Sequence, residues 1–594
     1  MVSSSEDKVM KKFLFTLFLA LAAVWTLSAA PAHRGRIVRT QPDGSTIVTY
    51  LHRDEFGHWV TDEQGNVLVQ GLDGYWKPSA TVSPQTTRRK AAMRRSAANQ
   101  RRRAAARASA HTGSPRIPVF LIGFNDKSFT KTAAEFDALL NKEGYAVGGA
   151  VGSVLDYYKE NSLGAFTPVF DVFGPVRLDT TMAYYGANDA AGNDLRPEMA
   201  LVHAIKKLDA DIDFSRYDND GDGEVDFVLY YFAGYDEAQG GSRSCIWSHA
   251  WYLSDSDLAR DSAMYDGVRI ENYFCTAELD GYRGTEICRI GTTCHEFAHT
   301  LGLPDFYDAD YSDNGNCAHT YELDVMSEGT YNNDGHTPPY LNAEELWEVG
   351  WLPEIPEFNG AGPYSLPAVN RPGASSYAAR KLPTSTPGEY FLFEVRGGER
   401  WDAPIPEGLL VYHVDRSSRI VFDGSTALQA WEDNTVNNYA IHPCCYIVPA
   451  SDPGSTVVFL GEAEELFFPY GGKATRFLPT DWEGVVSEWF LDGISYADGR
   501  ASWELTESRT MAATGYSYIA DPGEGEYHAG ESFPLTLVTA SGDKAPASEV
   551  LWSLDGEPVS GTAVTLTAGS HSLEASFRTR SGSTKKILLE LDVR

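Results

Sequence analysis

The chain has 594 residues, with 49 basic and 82 acidic side chains, a net charge of −33 and an aromatic content of 12%. That length holds several domains, and the aromatic and charged fractions are those of packed globular proteins, which excludes an extended disordered chain. Residues 1–110 carry 17 basic and 8 acidic side chains, so the rest stands at −42, an acidic body that suits cations and argues against nucleic acid as a partner.

Lys11 and Lys12 precede an apolar run from Phe13 to Leu27, followed by small residues at Ser28, Ala29, Ala30 and Ala32. This predicts a secretory signal over 1–32, cut after Ala30 or Ala32, with Met10 a candidate start. The run is short for a membrane anchor, and no later apolar span is long enough to cross a bilayer. A secreted or cell-surface location without a transmembrane anchor is therefore expected.

Residues 33–85 alternate apolar and polar side chains between Asp-Gly and Gln-Gly turns, as in Thr46–Leu51 and Val67–Gln70, and predict a small β-rich domain. The histidines at 52 and 58 read as surface residues. Residues 86–113 are rich in Ala and Arg, with Arg88, Arg89, Lys90, Arg94, Arg95, Arg101, Arg102, Arg103 and Arg107. A basic patch for an anionic surface or nucleic acid competes here with an exposed linker cut by trypsin-like proteases, and the position between two predicted domains favours the linker. Its removal would leave a chain beginning near Ser114.

A third domain is expected over 114–355. Arg116–Phe124 reads as a buried strand, Gly152–Ser162 has helical spacing, and Phe166–Val172 reads as another strand. Asp218, Asp220, Asp222, Glu224 and Asp226 then alternate around Gly221 and Gly223. Hard calcium ions need several oxygen ligands, which such a loop supplies; Leu229 stands where an EF-hand has its bidentate glutamate, so the alternatives are a calcium loop leading into a strand over Val225–Phe232 or a solvated acidic turn. Asp308, Asp310 and Asp313 form a weaker acidic cluster. All seven cysteines lie from Cys245 onward; a disulfide between Cys245 and Cys275 fits an exported chain, although an odd thiol remains and pairing is not deducible. No N-terminal thiolate is available to silence a metal.

His295-Glu296-Phe297-Ala298-His299 carries the strongest chemistry. Histidines four apart on a helix share a face and reach one zinc ion, and the glutamate between them reaches a water held by that metal as general base. Gly302 can take a left-handed conformation and Pro304 cannot continue a helix, so the chain turns back where Asp305 can be a third ligand, with Asp308 a rival nearby. Met326, 21 residues further, is a candidate methionine turn beneath the metal.

The string from Cys294 to Trp351, including His295 to Asp308, Asp324-Val325-Met326-Ser327, and Leu341 to Trp347 with Gly350-Trp351, resembles the immune inhibitor A type of secreted metalloprotease. In that family an acidic third ligand stands where most metzincins carry histidine. The resemblance implies a multidomain α/β and all-β protein, in which a metzincin-like α+β zinc protease domain lies between an N-terminal β-rich propeptide and C-terminal β-sandwich domains. Tyr50–Trp59 resembles the family's propeptide segment. An inhibitory role for that segment would need a carboxylate, Asp54 or Glu55, or simple steric blockage.

Beyond Trp351 strands dominate. Glu389–Arg396 and Gly408–Asp415 resemble the β-rich region that follows the catalytic domain in this family, expected over 356–518. Residues 519–594, with strands around Leu551–Gly556, predict an immunoglobulin-like sandwich able to contact a cell surface or matrix. The expected activity is zinc-dependent cleavage of proteins or peptides, made as a precursor, with calcium as a second ion. The rival reading is a surface binding or adhesion protein with a structural or vestigial metal site; Glu296 argues against it, because a structural site needs no general base.

Overall fold

The computed structural model describes residues 28–29, 37–54, 57–63, 66–70 and 75–78, and then 111–594 apart from short stretches within 189–193, 254–262, 310–315, 370–376, 508–516, 520–526, 540–549 and 579–583 and the single residues 423, 457 and 486. The expected signal, apart from Ser28–Ala29, and the Arg-rich stretch up to residue 110 lie outside the described residues. So do Glu55, Asp310, Asp313 and the side chains of residues 52, 54 and 58.

The chain builds a mixed α/β central region flanked by antiparallel sheets at both ends. At the N-terminal end five strands, β2 (Ile37–Thr40), β3 (Thr46–Asp54), β4 (Gly57–Thr61), β5 (Val67–Gln70) and β6 (Trp76–Pro78), pair in chain order as an antiparallel meander. Short strands joined by tight turns allow this order directly.

The central sheet runs β1 (Ser28–Ala29), β10 (His249–Tyr252), β11 (Asn272–Leu279), β9 (Val228–Tyr235), β7 (Arg116–Gly123), β8 (Val169–Arg177). The last four strands of that order are parallel, whereas β10 is antiparallel to β11 and β1 is antiparallel to β10. Parallel strands need covering on both faces, which explains the nearly unbroken apolar run of β7. Its Ile117, Val119 and Leu121 join one core with Leu229, Tyr231 and Phe274, while Phe120 and Ile122 join the opposite core with Val228, Tyr230 and Tyr273. The two-residue period of a strand sends neighbours to opposite faces.

The first face is covered by α1 (Ala133–Asn141), α2 (Val154–Asn161) and α4 (Ile290–Thr300), the second by α3 (Pro197–Leu208). Both α1 and α2 start with a capping box, Thr132 with Glu135 and Ser153 with Asp156. Overlapping the string Leu341 to Trp347 is α5 (Ala343–Glu348), opened by a third box, Asn342 with Glu345. The strand expected over Val225–Phe232 is broken in two, Glu224–Val225 and Val228–Tyr235, because the first piece leaves the central sheet to pair with Val268–Ile270.

Further on, β12 (Arg380–Pro383), β13 (Glu389–Arg396), β14 (Gly408–Asp415) and β15 (Cys445–Ile447) form an antiparallel sheet, with the short helix α6 (Ala427–Glu432) between its last two strands. One side of this sheet belongs to the same core as the central helices, through Leu392, Leu410, Tyr412 and Val414. The region around α4 and the sheet that follows it therefore share one hydrophobic interior. The final sheet, with Val550–Leu554 at its centre, has a separate core around Trp552, Leu573 and Leu589. All seven cysteines are buried free thiols, including Cys245 and Cys275. Cys245 precedes β10, and it is His249 that pairs with Cys275.

Residues 111–113, placed by sequence at the end of the linker, are anchored on the central region. Gly113 donates its N–H to the Ala165 carbonyl, and the Trp351 indole donates to the His111 carbonyl at 2.6 Å. Burial pushes the His111 imidazole down to about 4.

Candidate metal centre

Every residue of α4 is buried. Its apolar side is fixed by Phe297, which stacks on Phe274 of β11 with ring centroids 5.0 Å apart, and by the Tyr158 hydroxyl donating to the Cys294 carbonyl at 2.5 Å. Gly291 meets the turn at 328–331 so closely that a Cβ would lie 1.9 Å from the Thr330 carbonyl oxygen. These contacts fix both the rotation and the depth of the helix.

The other side of α4 presents His295 and His299, with Nε2 atoms 3.1 Å apart. Each ring holds its Nδ1 against a backbone carbonyl, His295 against Val325 and His299 against Leu303, both at 2.8 Å. A carbonyl accepts only, so Nδ1 carries the proton and Nε2 keeps its lone pair. Burial also pushes His295 below the ordinary imidazole range, which favours the neutral ring.

The helix ends as the sequence predicts. Gly302 has φ of 98°, its N–H donates to the His299 carbonyl and that of Leu303 to the Ala298 carbonyl, a left-handed terminator. The chain then folds back and places Asp305 Oδ1 at 3.3 Å from His295 Nε2 and 3.2 Å from His299 Nε2. Asp308 turns elsewhere, accepting the Cys317 N–H at 2.9 Å.

These three residues form one buried group able to hold a metal ion, with their ligand atoms within 4.8 Å of one another. Tetrahedral zinc with bonds of about 2.0–2.1 Å needs nitrogens roughly 3.3 Å apart, close to the observed spacing, and takes this donor set of imidazoles and a carboxylate. Asp305 Oδ1 faces both nitrogens with no well-aligned hydrogen bond, so three acceptors converge where only a cation satisfies them. The buried Glu296 follows His295 and is outside the group of three.

Met326 is fully buried in the core that α4 shares. Its turn is tied to both ligand segments: Val325 holds His295, and the Met326 carbonyl accepts the Phe306 N–H at 2.7 Å. Behind it, Asn342 donates to Asp324 at 2.8 Å. Burial first, then the Asp324 carboxylate, pushes Glu345 well above the usual range, and burial raises Asp324 as well.

Among the described residues the acidic loop brings together only Asp218, Asp220 and Asp222 as a second such group. Asp226 instead accepts from the Asn219 backbone and side chain at 2.7 and 2.9 Å, and Glu224 is outside the group. One contributor escaped sequence reasoning altogether. Asn434, 129 positions from Asp305, donates from Nδ2 to Asp305 Oδ2 at 2.8 Å and accepts the Asp305 N–H at 2.6 Å. No spacing rule connects residues so far apart.

Residues 125–344 match the family described as immune inhibitor A peptidase M6, catalytic domain. The chain is 29% identical over 209 residues to Immune inhibitor A of Bacillus thuringiensis subsp. alesti, an alignment covering 31% of this chain and 29% of that protein. It is 27% identical over 219 residues to Pre-pro-metalloprotease PrtV of Vibrio cholerae serotype O1, covering 33% of this chain and 23% of that protein. It thus spans less than a third of the length of these curated relatives.

Proposed function

We propose, from the match of residues 125–344 to the catalytic domain of the immune inhibitor A peptidases, that this protein is an exported zinc-dependent endopeptidase made as a precursor. The observation that carries the reading is the convergence of His295, His299 and Asp305 beside the buried Glu296. Zinc held by His295, His299 and Asp305 would supply Lewis acidity, lowering the pKa of water towards ~7 and polarising the scissile carbonyl. Glu296 accepts the proton of the attacking water on its carboxylate and delivers it to the leaving amine. The carbonyls of Val325 and Leu303 keep the two imidazoles neutral and aimed, and Met326 forms the floor.

Extended peptide substrates fit the sheet edge. Ser28–Ala29 adds there to β10 as an antiparallel strand, beside α4, and main-chain pairing of this kind binds a peptide whatever its side chains. Among the described residues no helix is long and apolar enough to cross a membrane, and the name of the Vibrio relative marks that protein as a pre-pro-enzyme.

Latency in this reading is steric. The N-terminal sheet packs Ile37, Leu51 and Trp76 with Ala238 and Trp247, just before β10, and Arg39 donates to the Gly240 carbonyl at 3.4 Å. The activating cut falls before His111, since residues 111–113 are part of the central packing. Calcium takes Asp218, Asp220 and Asp222, and the last 76 residues form an immunoglobulin-like module for surface or matrix contact.

Casein cleavage by the purified protein tests the reading, before and after trypsin treatment and with a zinc chelator. Activity that rises on the cut, falls with the chelator and returns with zinc is expected. Chelator-insensitive cleavage, or none with zinc bound after the cut, contradicts it.

A further inference from the structure

Three buried asparagines in the segment after α6 grip the loop that carries the third member of the metal group. Asn434 makes the two bonds to Asp305 described above, Asn437 donates from Nδ2 to the Phe306 carbonyl at 2.9 Å, and Asn438 accepts the Ala309 N–H at 3.1 Å. Trp431 of α6 meets Phe306 edge-on, with centroids 5.3 Å apart. All three asparagines lie beyond the residues matched by the peptidase family, in the stretch between β14 and β15.

Local structure aims Asn434 at its target. Helix α6 starts with a capping box between Thr426 and Gln429, and ends with Asp433 donating to the Gln429 carbonyl and Thr435 to the Ala430 carbonyl. Asn434 occupies the left-handed position of that terminator, with φ of 55°, a conformation asparagine tolerates better than most residues. Its side chain is thus delivered by a rigid turn.

The consequence is chemical. A carboxylate offers two oxygens to a cation and can bind through one or both. Here Asn434 occupies Oδ2, leaving Oδ1 turned to the point where the two imidazole nitrogens also converge. The donor to Oδ2 also fixes the plane of the carboxylate, and the acceptor for the Asp305 N–H fixes its backbone. Hydrogen-bond partners of metal ligands typically govern affinity by 10–100-fold.

We propose that Asn434 is a positioning residue for the metal centre, holding Asp305 as a one-oxygen ligand, so that the centre is completed by the region that follows the peptidase domain. This rests on the reading of Asp305 as a zinc ligand. The measurement is the zinc dissociation constant of the full chain, by competition with a chromophoric chelator, alongside the absorption spectrum of the cobalt(II) form. Asn434→Gly keeps the left-handed turn and removes the side chain; Asn438→Ala loosens the same segment without touching Asp305; Asp305→Ala tests the ligand itself.

The expected result is zinc binding weakened 10–100-fold in Asn434→Gly, within two-fold of wild type in Asn438→Ala, and more than 100-fold weaker in Asp305→Ala. Unchanged binding in Asp305→Ala overturns the ligand reading and the clamp with it. Loss in Asp305→Ala with wild-type binding in Asn434→Gly overturns the clamp alone, as does equal weakening in Asn434→Gly and Asn438→Ala. Should Asn434→Gly fail to fold, Asn434→Asp, of the same size, must alter the cobalt spectrum, and an identical spectrum overturns the proposal.

Discussion

The imidazole of His299 is held by the carbonyl of Leu303, 2.8 Å from Nδ1, so the turn that ends α4 also sets the tautomer of the second histidine. Gly302 lies between them in the left-handed region. A Cβ there strains the backbone by roughly 1–2 kcal/mol, and relief of that strain moves both Leu303 and Asp305. Gly302→Ala should therefore lower the unfolding free energy by about that amount and weaken zinc binding, as checked by denaturant titration and chelator competition. Wild-type zinc affinity in a variant destabilised this way would separate the turn from the metal centre.

Phe297 points away from the metal side of α4 and stacks on Phe274. It is fully buried and also meets Tyr158 at 4.7 Å and Phe227 at 5.3 Å. Phe297→Ala should cost about 3–5 kcal/mol, as large aromatic deletions in cores do. Loss below ~1 kcal/mol in denaturant unfolding would show that this packing does not anchor the helix.

Glu345 and Asp324 give the protein a pH-dependent stability term. Glu345 titrates near the ordinary glutamate value of 4.5 when unfolded and well above it when folded, because burial and Asp324 oppose its charge. The folded state thus binds the extra proton. Stability from this group is fully present below about pH 4.5 and falls as pH rises through the raised folded value, by up to ~1.4 kcal/mol per pH unit. Glu345→Gln removes the titrating carboxyl, and its amide oxygen keeps the capping interaction with Asn342. Its unfolding free energy should fall less between pH 5 and 8 than that of wild type, and parallel curves would refute the raised carboxyl.

The metal centre was more legible in the sequence than the rest of the site. His295, His299 and Gly302 are linked by local rules, the helical period and the left-handed cap, and those rules act within a few residues. Asp305 against Asp308 could not be decided locally, because the choice depends on Asn434 and on the Cys317 amide, both brought in by tertiary folding. The strand of β7 was readable from its apolar run, whereas the split at Val225 depends on a partner at Val268–Ile270. The acidic loop shows the opposite failure: regular alternation implied five ligands, yet turning the chain at Gly221 and Gly223 sends Asp226 back to Asn219.

Glu296 is the residue on which the catalytic account turns, since it is the group in the motif that the metal itself does not require. The decisive measurement is peptide-bond cleavage by Glu296→Ala after activation, with zinc content determined on the same sample. The account predicts zinc bound as in wild type and turnover reduced at least 10²–10⁴-fold, the usual contribution of a general base. Cleavage at the wild-type rate by the zinc-loaded variant would contradict it.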